Sequence, residues 1–175
     1  NPVIEACAKI GIQPILCRQE RVGIGMADGY TRRHRGKKIG VFAAQGGPGI
    51  ENAFPGIAQA YAENVPILIL SGSYDLHRQY RHPTFSATDV FKPITKWSAR
   101  AHSISELPEL LRRAYHILKT GKGGPVLIEV PNQVWTETAK KLFDYRSVPG
   151  ITIAPSQLAV SAATEALLQA KSPIL

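Results

Sequence analysis

Residues Ile15 to Tyr30 read ILCRQERVGIGMADGY, and the reading of this stretch decides the fold. A short apolar run ends at Cys17, an acid follows at Glu20, and a helix-like pattern then carries Gly23, Gly25 and Gly29. Each glycine inside a helix costs about 1 kcal/mol relative to alanine. The pattern predicts a strand over Pro14 to Cys17 and a helix from Glu20 to Arg33, closed by Gly36. It also poses a question: what makes a helix accept these glycines directly behind a carboxylate?

Working outward, PVIEACAKI (Pro2 to Ile10) is helical, with Val3, Ala6, Cys7 and Ile10 on one face. KIGVFAA (Lys38 to Ala44) reads as a buried strand, GGPG leads into a helix over Ile50 to Glu63, and PILIL (Pro66 to Leu70) is a second apolar strand. Continuous apolar strands of this kind belong to parallel sheets covered on both faces. Ser71 to Asp89 is polar and aperiodic, a length of irregular chain that is usually functional. A strand over Trp97 to His102, a helix over Glu106 to Lys119 and a strand over Gly124 to Pro131 complete the alternation. The expected fold is α/β, a parallel sheet flanked by helices on both faces with right-handed crossovers.

Residues 135–155 read as a linker, and Ser156 to Ala170 as a fresh helix followed by SPIL, a strand cut short. The chain opens on a helix with no strand to feed it and has no initiator Met, so a fragment is expected. Its parts would be a domain over 1–134 lacking its first strand, a linker over 135–155, and the start of another domain over 156–175.

With 175 residues, 44% hydrophobic and 19% charged, the chain can bury a core. No apolar run reaches the roughly 18 residues of a membrane span, and the N-terminus lacks the pattern of a secretory signal. Cys7 and Cys17 are separated by nine residues, which is no metal-ligand spacing. They read as reduced and buried, which suits the cytoplasm. The net charge of +8 is scattered. Its densest run, Arg32 to Lys38, sits where a helix ends and complements the helix dipole, so neither nucleic acid nor membrane is expected as a partner.

Common motifs fail. GIGMADG lacks the Gly or Ala required five positions after its first glycine, since Asp28 stands there, so it is no dinucleotide fingerprint. GKGG (Gly121 to Gly124) has His116 where a P-loop needs glycine. His34, His77, His82, His102 and His116 never fall at metal spacing on one helix, no GxSxG elbow occurs, and no metal ligand is expected in this chain. What remains is Glu20 at the end of the first expected strand and Gly46 to Gly49 at the end of the second. Ligands of parallel α/β sheets bind at those carboxyl ends. Glycines there let a flat ligand approach the backbone, and Pro48 fixes the turn into the helix. The plain alternative is that Glu20 complements the helix dipole and GGPG is only a tight turn.

RQERVGIGMADGYTR followed by GGPGIENAFPGIAQAYAENVPILILSG resembles the N-terminal, pyrimidine-binding domain of thiamine diphosphate-dependent enzymes. The likeness is strongest to the acetolactate synthase and 2-oxo-acid decarboxylase group, and FKPITKWSARA and GPVLIEVPNQV extend it to about residue 134. The resemblance implies an enzyme that decarboxylates a 2-oxo acid or joins it to a second carbonyl compound. Glu20 matches the family's catalytic glutamate, which exchanges a proton with the pyrimidine N1′; burial against Ile15 and Leu16 would raise its pKa. Cofactor binding carries over to Glu20, Gly46, Gly47, Pro48, Gly49 and Asn52, and substrate contact to Gln19 and Phe85. Gln19 stands in place of a common His, and Ser86 and Ala87 in place of a common Gln-Glu pair.

The family holds the diphosphate and Mg²⁺ through a GDG…N segment of another domain, absent here, and some relatives place FAD in a central domain. It also implies a homodimer or homotetramer built through this domain, with Gly23 and Gly25 letting the helix lie close to its partner-subunit equivalent. The fragment alone would then be inactive. A non-catalytic binding or regulatory module that kept the fold is the competing reading.

Overall fold

The structure is a computed structural model describing residues 2–79, 81–139, 143 and 145–174. Four strands, β1 (Gly40–Ala44), β2 (Ile67–Ser73), β3 (Trp97–Arg100) and β4 (Val126–Pro131), form a parallel sheet in the order β1-β2-β4-β3. The α-helices among the described residues are α1 (Pro2–Lys9), α2 (Glu20–Arg33), α3 (Pro48–Asn52), α4 (Phe54–Ala62), α5 (Ala87–Val90), α6 (Leu107–Lys119), α7 (Asn132–Thr136) and α8 (Gln157–Gln169).

Side-chain alternation splits the core in two. Phe42, Ile67, Ile69 and Leu127 join Ile24, Ile50, Ile57 and Phe91 on one face. Leu68, Val126, Ile128 and Val130 join Leu107, Ala114 and Leu118 of α6 and Val134 of α7 on the other. β2 and β4 are central and apolar on both faces, so the expected doubly covered parallel sheet is what forms. Lys96 caps the end of α6, its Nζ donating to Ile117 O at 2.7 Å and Thr120 O at 2.9 Å. Burial pushes its pKa down.

The glycines behind Glu20 divide between two faces of α2. Positions 23, 27 and 31, one helical turn apart, lie against β1. A Cβ on Gly23 would stand 2.8 Å from Phe42 Cε2, and one on Gly40 only 2.1 Å from Ala27 O. The buried Thr31 hydroxyl accepts from Gly40 N at 2.7 Å. Gly23 therefore serves packing inside this chain, a correction to its expected role against a partner helix. Gly25 and Gly29 have nothing near their Cβ positions and share the open face with Val22, Met26 and Tyr30, all exposed.

Several expectations are corrected. Pro14 to Cys17 forms no strand: β1 pairs only with β2, and no neighbour among the described residues hydrogen-bonds this run into the sheet. Cys17 is consequently exposed rather than buried, and Cys7 is half-buried. Ile50 to Glu63 is two helices, because Pro55 lacks the N–H that a continuous helix would direct to Glu51 O, and its ring crowds that carbonyl. β2 runs on to Ser73, taking three residues from the polar stretch. Asn132–Thr136 is a short helix, whose last two residues fall in the stretch expected as a linker. Residues 172–174 form no strand, and Leu175 lies outside the described residues.

Gly40→Ala should destabilise the fold by about 3 kcal/mol, since a backbone oxygen blocks the new methyl. Gly25→Ala should gain up to about 1 kcal/mol from helix propensity. Urea unfolding of both variants checks the contrast.

Candidate functional site

The irregular chain before α2 turns into the helix at Gln19, an extended residue whose side chain makes no cap bond. Glu20 is thus the first helical residue, where a carboxylate favours the dipole. Dipole complementation does not require what comes next. Asn52, 32 residues away at the end of α3, donates from Nδ2 to Glu20 Oε2 at 2.8 Å. The break at Ala53 ends α3 at Asn52, on the residue that reaches Glu20.

Between them lies the GGPG turn. Gly46 passes so close to β2 that a Cβ would stand 2.7 Å from Gly72 O. Gly47 has φ of +69°, where a side chain is strained, and Pro48 opens α3. A Cβ on Gly49 would stand 3.1 Å from Gln45 Cβ and 3.5 Å from Glu20 Oε1. Together Glu20, Gln45, Pro48, Gly49, Glu51 and Asn52 line an open cleft of about 620 Å³ at the carboxyl edge of β1.

The Glu20 carboxyl is held below its usual range, first by the Asn52 hydrogen bond and then by its own backbone N–H, against a weaker opposing effect of burial. The expected rise does not occur in this chain: Ile15 and Leu16 are 71% and 81% exposed and supply no desolvation. Glu20 is ionised at neutral pH and presents Oε1 towards the glycine turn.

The structure brings Glu20, Pro48, Gly49 and Asn52 to one cleft, with Gly46 and Gly47 shaping its turn. Gln19 and Phe85 do not line it. Phe85 is half-buried, edge-on to Phe91 at 6.2 Å, and Phe91 packs on Phe54 at 5.5 Å. Sequence reasoning missed Glu51 and Tyr74. The Tyr74 hydroxyl stands 3.6 Å from the Cβ position of Gly47, under the Arg78 guanidinium, which is 5.4 Å from the ring centre. Tyr74 directly follows the end of β2, so the strand-end rule applied to Ser73 could have found it.

The bare glycine turn and the ionised carboxylate thus stand at the carboxyl edge of a doubly covered parallel sheet, the edge at which sheets of this kind take their ligands. The family model described as "Thiamine pyrophosphate enzyme, N-terminal TPP binding domain" matches residues 1–92, and the chain belongs to that family. The acetolactate synthase large subunit of Haemophilus influenzae is 32% identical over 94% of this chain and 30% of its own length. Glyoxylate carboligase of Escherichia coli O157:H7 is 32% identical over 100% of this chain and 30% of its own. "Probable 2-ketoarginine decarboxylase AruI" of Pseudomonas aeruginosa is 36% identical over 94% and 30%. Among solved structures, the "X-ray structure of a putative thiamin diphosphate-dependent enzyme isolated from Mycobacterium smegmatis" superposes with a TM-score of 0.75 at 26% identity, covering 90% of this chain and 30% of that one. The chain therefore spans about 30% of the length of these relatives.

Because the folded state holds Glu20 below its unfolded pKa, the associated stability is present above the unfolded value and lost as pH falls through the folded one. Asn52→Ala removes the main cause. In a ¹³C-detected carboxyl titration, the Glu20 midpoint should rise towards the ordinary carboxylate range, and the acid limb of the stability profile should flatten.

Proposed function

We propose that this chain is the pyrimidine-binding part of a thiamine diphosphate-dependent enzyme acting on 2-oxo acids, by decarboxylation or by acetolactate synthase-like carboligation. The observation that carries this is the Asn52–Glu20 hydrogen bond across the bare Gly49 turn. The names of the relatives supply the reaction class. Thiamine diphosphate, when bound, supplies the electron-sink chemistry.

This chain's residues have four tasks. Gly46, Gly47, Pro48 and Gly49 offer backbone to the pyrimidine ring, and the missing side chains at Gly47 and Gly49 fit a flat group. Asn52 fixes Glu20 Oε2 and leaves Oε1 to exchange a proton with the ring nitrogen N1′, so Glu20 is the catalytic residue. Gln19 flanks the carboxylate on the substrate side. Phe85 contributes through the aromatic line Phe54–Phe91–Phe85. No metal ligand is assigned to this chain: Mg²⁺ and the diphosphate belong to a separate domain of the full-length protein. Residues 1–134 form the pyrimidine domain, 135–155 the linker, and 156–175 the start of the central domain.

A second copy of this chain covers the open face of α2 in a homodimer or a dimer of dimers. Support comes from Ile15, Leu16, Val22, Met26 and Tyr30, which are 71%, 81%, 53%, 44% and 46% exposed beside the bare Gly25. Covering Ile15 and Leu16 desolvates Glu20 and lifts its pKa towards the range that suits exchange with an aminopyrimidine. A cytoplasmic enzyme is the proposal that fits the two free cysteines, Cys7 and Cys17. No helix among the described residues is long and apolar enough to cross a membrane.

In the full-length protein, Glu20→Gln should lower kcat by about 10²–10⁴-fold while leaving thiamine diphosphate bound, as measured by steady-state kinetics and calorimetry. Turnover near wild type would remove the assigned role and favour a non-catalytic module. Gly25→Leu should leave the domain folded and shift sedimentation towards monomer; normal dimerisation would remove the proposed interface.

A further inference from the structure

The polar stretch after β2 is anchored at both ends by side chains from one short run, the end of β4 and the start of α7. At the far end, Glu129 is 1% exposed. Its Oε2 accepts from Thr88 N at 2.8 Å, Thr88 Oγ1 at 2.5 Å and Arg100 Nη2 at 3.0 Å. Arg100 Nη2 also donates to Ser86 Oγ at 2.8 Å, and Ser98 Oγ to Thr88 O at 3.1 Å. At the near end, Gln133 Oε1 accepts from Leu76 N at 3.1 Å while Gln133 N donates to Asp75 Oδ1 at 3.1 Å.

Each anchor adjoins an aromatic side chain. Tyr74 precedes Asp75 and brings its hydroxyl to the Gly47 turn, and Phe85 precedes Ser86 and packs on Phe91. A buried carboxylate with a guanidinium is an expensive way to hold a sheet together, because an apolar pair of the same volume would do as well or better. Directional bonds to the backbone of Leu76 and Thr88 do something an apolar pair cannot: they set the position of the chain to a fraction of an ångström.

We infer that Glu129 and Gln133 are positioning residues for substrate recognition: Gln133 holds the segment that brings Tyr74 to the glycine turn, and Glu129 holds the segment that seats Phe85 on Phe91. The inference rests on the reading above, that the cleft takes thiamine diphosphate and a 2-oxo acid. Tyr74 is the specificity-determining group nearest the cofactor, and Arg78 stacks on its ring. Glu129 and Gln133 touch neither ligand and act through these aromatics. Loosening an anchor should weaken substrate recognition while leaving Glu20 and its proton exchange untouched.

The test uses the full-length enzyme with thiamine diphosphate and Mg²⁺, assayed with whichever of pyruvate, glyoxylate and 2-ketoarginine the wild type turns over best. Thr88→Val keeps the shape but removes the Oγ1 bond to Glu129, Thr88→Ser restores it, and Gln133→Ala removes the Leu76 anchor on a half-buried helix. We expect KM to rise about tenfold in Thr88→Val and Gln133→Ala, with kcat within twofold and thiamine diphosphate affinity unchanged. Thr88→Ser should stay at the wild-type KM. Amide exchange of peptides containing Leu76 or Thr88 should quicken in the matching variant. KM within twofold of wild type in folded variants overturns the inference, as does a fall in kcat together with cofactor affinity. Should Thr88→Val fail to fold, Gln133→Ala decides. A wild type that neither binds thiamine diphosphate nor turns over any 2-oxo acid overturns the proposed function instead. The exchange measurement then decides the anchoring alone, and unchanged rates at Leu76 and Thr88 overturn it.

Discussion

The flush seating of α2 on β1 is the contact on which the rest depends. Where Gly40 begins the strand, the Ala27 carbonyl occupies the space a side chain would need, and one turn earlier Phe42 fills the space over Gly23. Only then does the buried Thr31 hydroxyl reach Gly40 N. This packing sets the height of α2 over the sheet edge, and with it the position of Glu20 at the helix start. An ångström of separation here would draw Glu20 away from Asn52, because hydrogen bonds weaken steeply beyond their normal range.

The candidate site is a joint between two such constraints. Glu20 is delivered by α2, while Gly49 and Asn52 are delivered by a turn that β2 holds in place through the Gly46–Gly72 approach. Neither half alone makes a cleft. The proton-exchange role proposed for Glu20 needs both a carboxylate and a bare surface for a ring to lie against; the structure sets the Glu20 carboxylate beside the bare Gly49 turn. In this chain the carboxylate is hydrogen-bonded but poorly desolvated, so its pKa falls. The apolar neighbours that would raise it are present in sequence yet face outward.

Much of the fold was legible. The helix over Glu20 to Arg33 follows from its periodicity and matches the structure residue for residue. The strands at β1, β2, β3 and β4 were each expected within three residues at either end, because buried parallel strands are short apolar runs between turn residues. The site was half legible. GGPG marks the end of β1 and Glu20 the start of α2, and the family resemblance added Asn52, but composition and period carry no sign that Asn52 Nδ2 reaches Glu20. Pro14 to Cys17 shows the opposite failure: its local pattern favours a strand, but a strand exists only where another backbone accepts its hydrogen bonds.

By itself, then, the sequence determined the order of the four strands, the long helices α2 and α6 and the glycine-lined turn, since these depend on residue period, backbone freedom and turn chemistry within a few positions. Tertiary structure alone decided which glycine of ILCRQERVGIGMADGY meets its own sheet and which stays open. It also decided that Tyr74 stands closer to the turn than Phe85, and that Glu129 and Gln133 anchor the chain carrying both. Those outcomes depend on distances between residues tens of positions apart, and such distances exist only once the sheet has assembled.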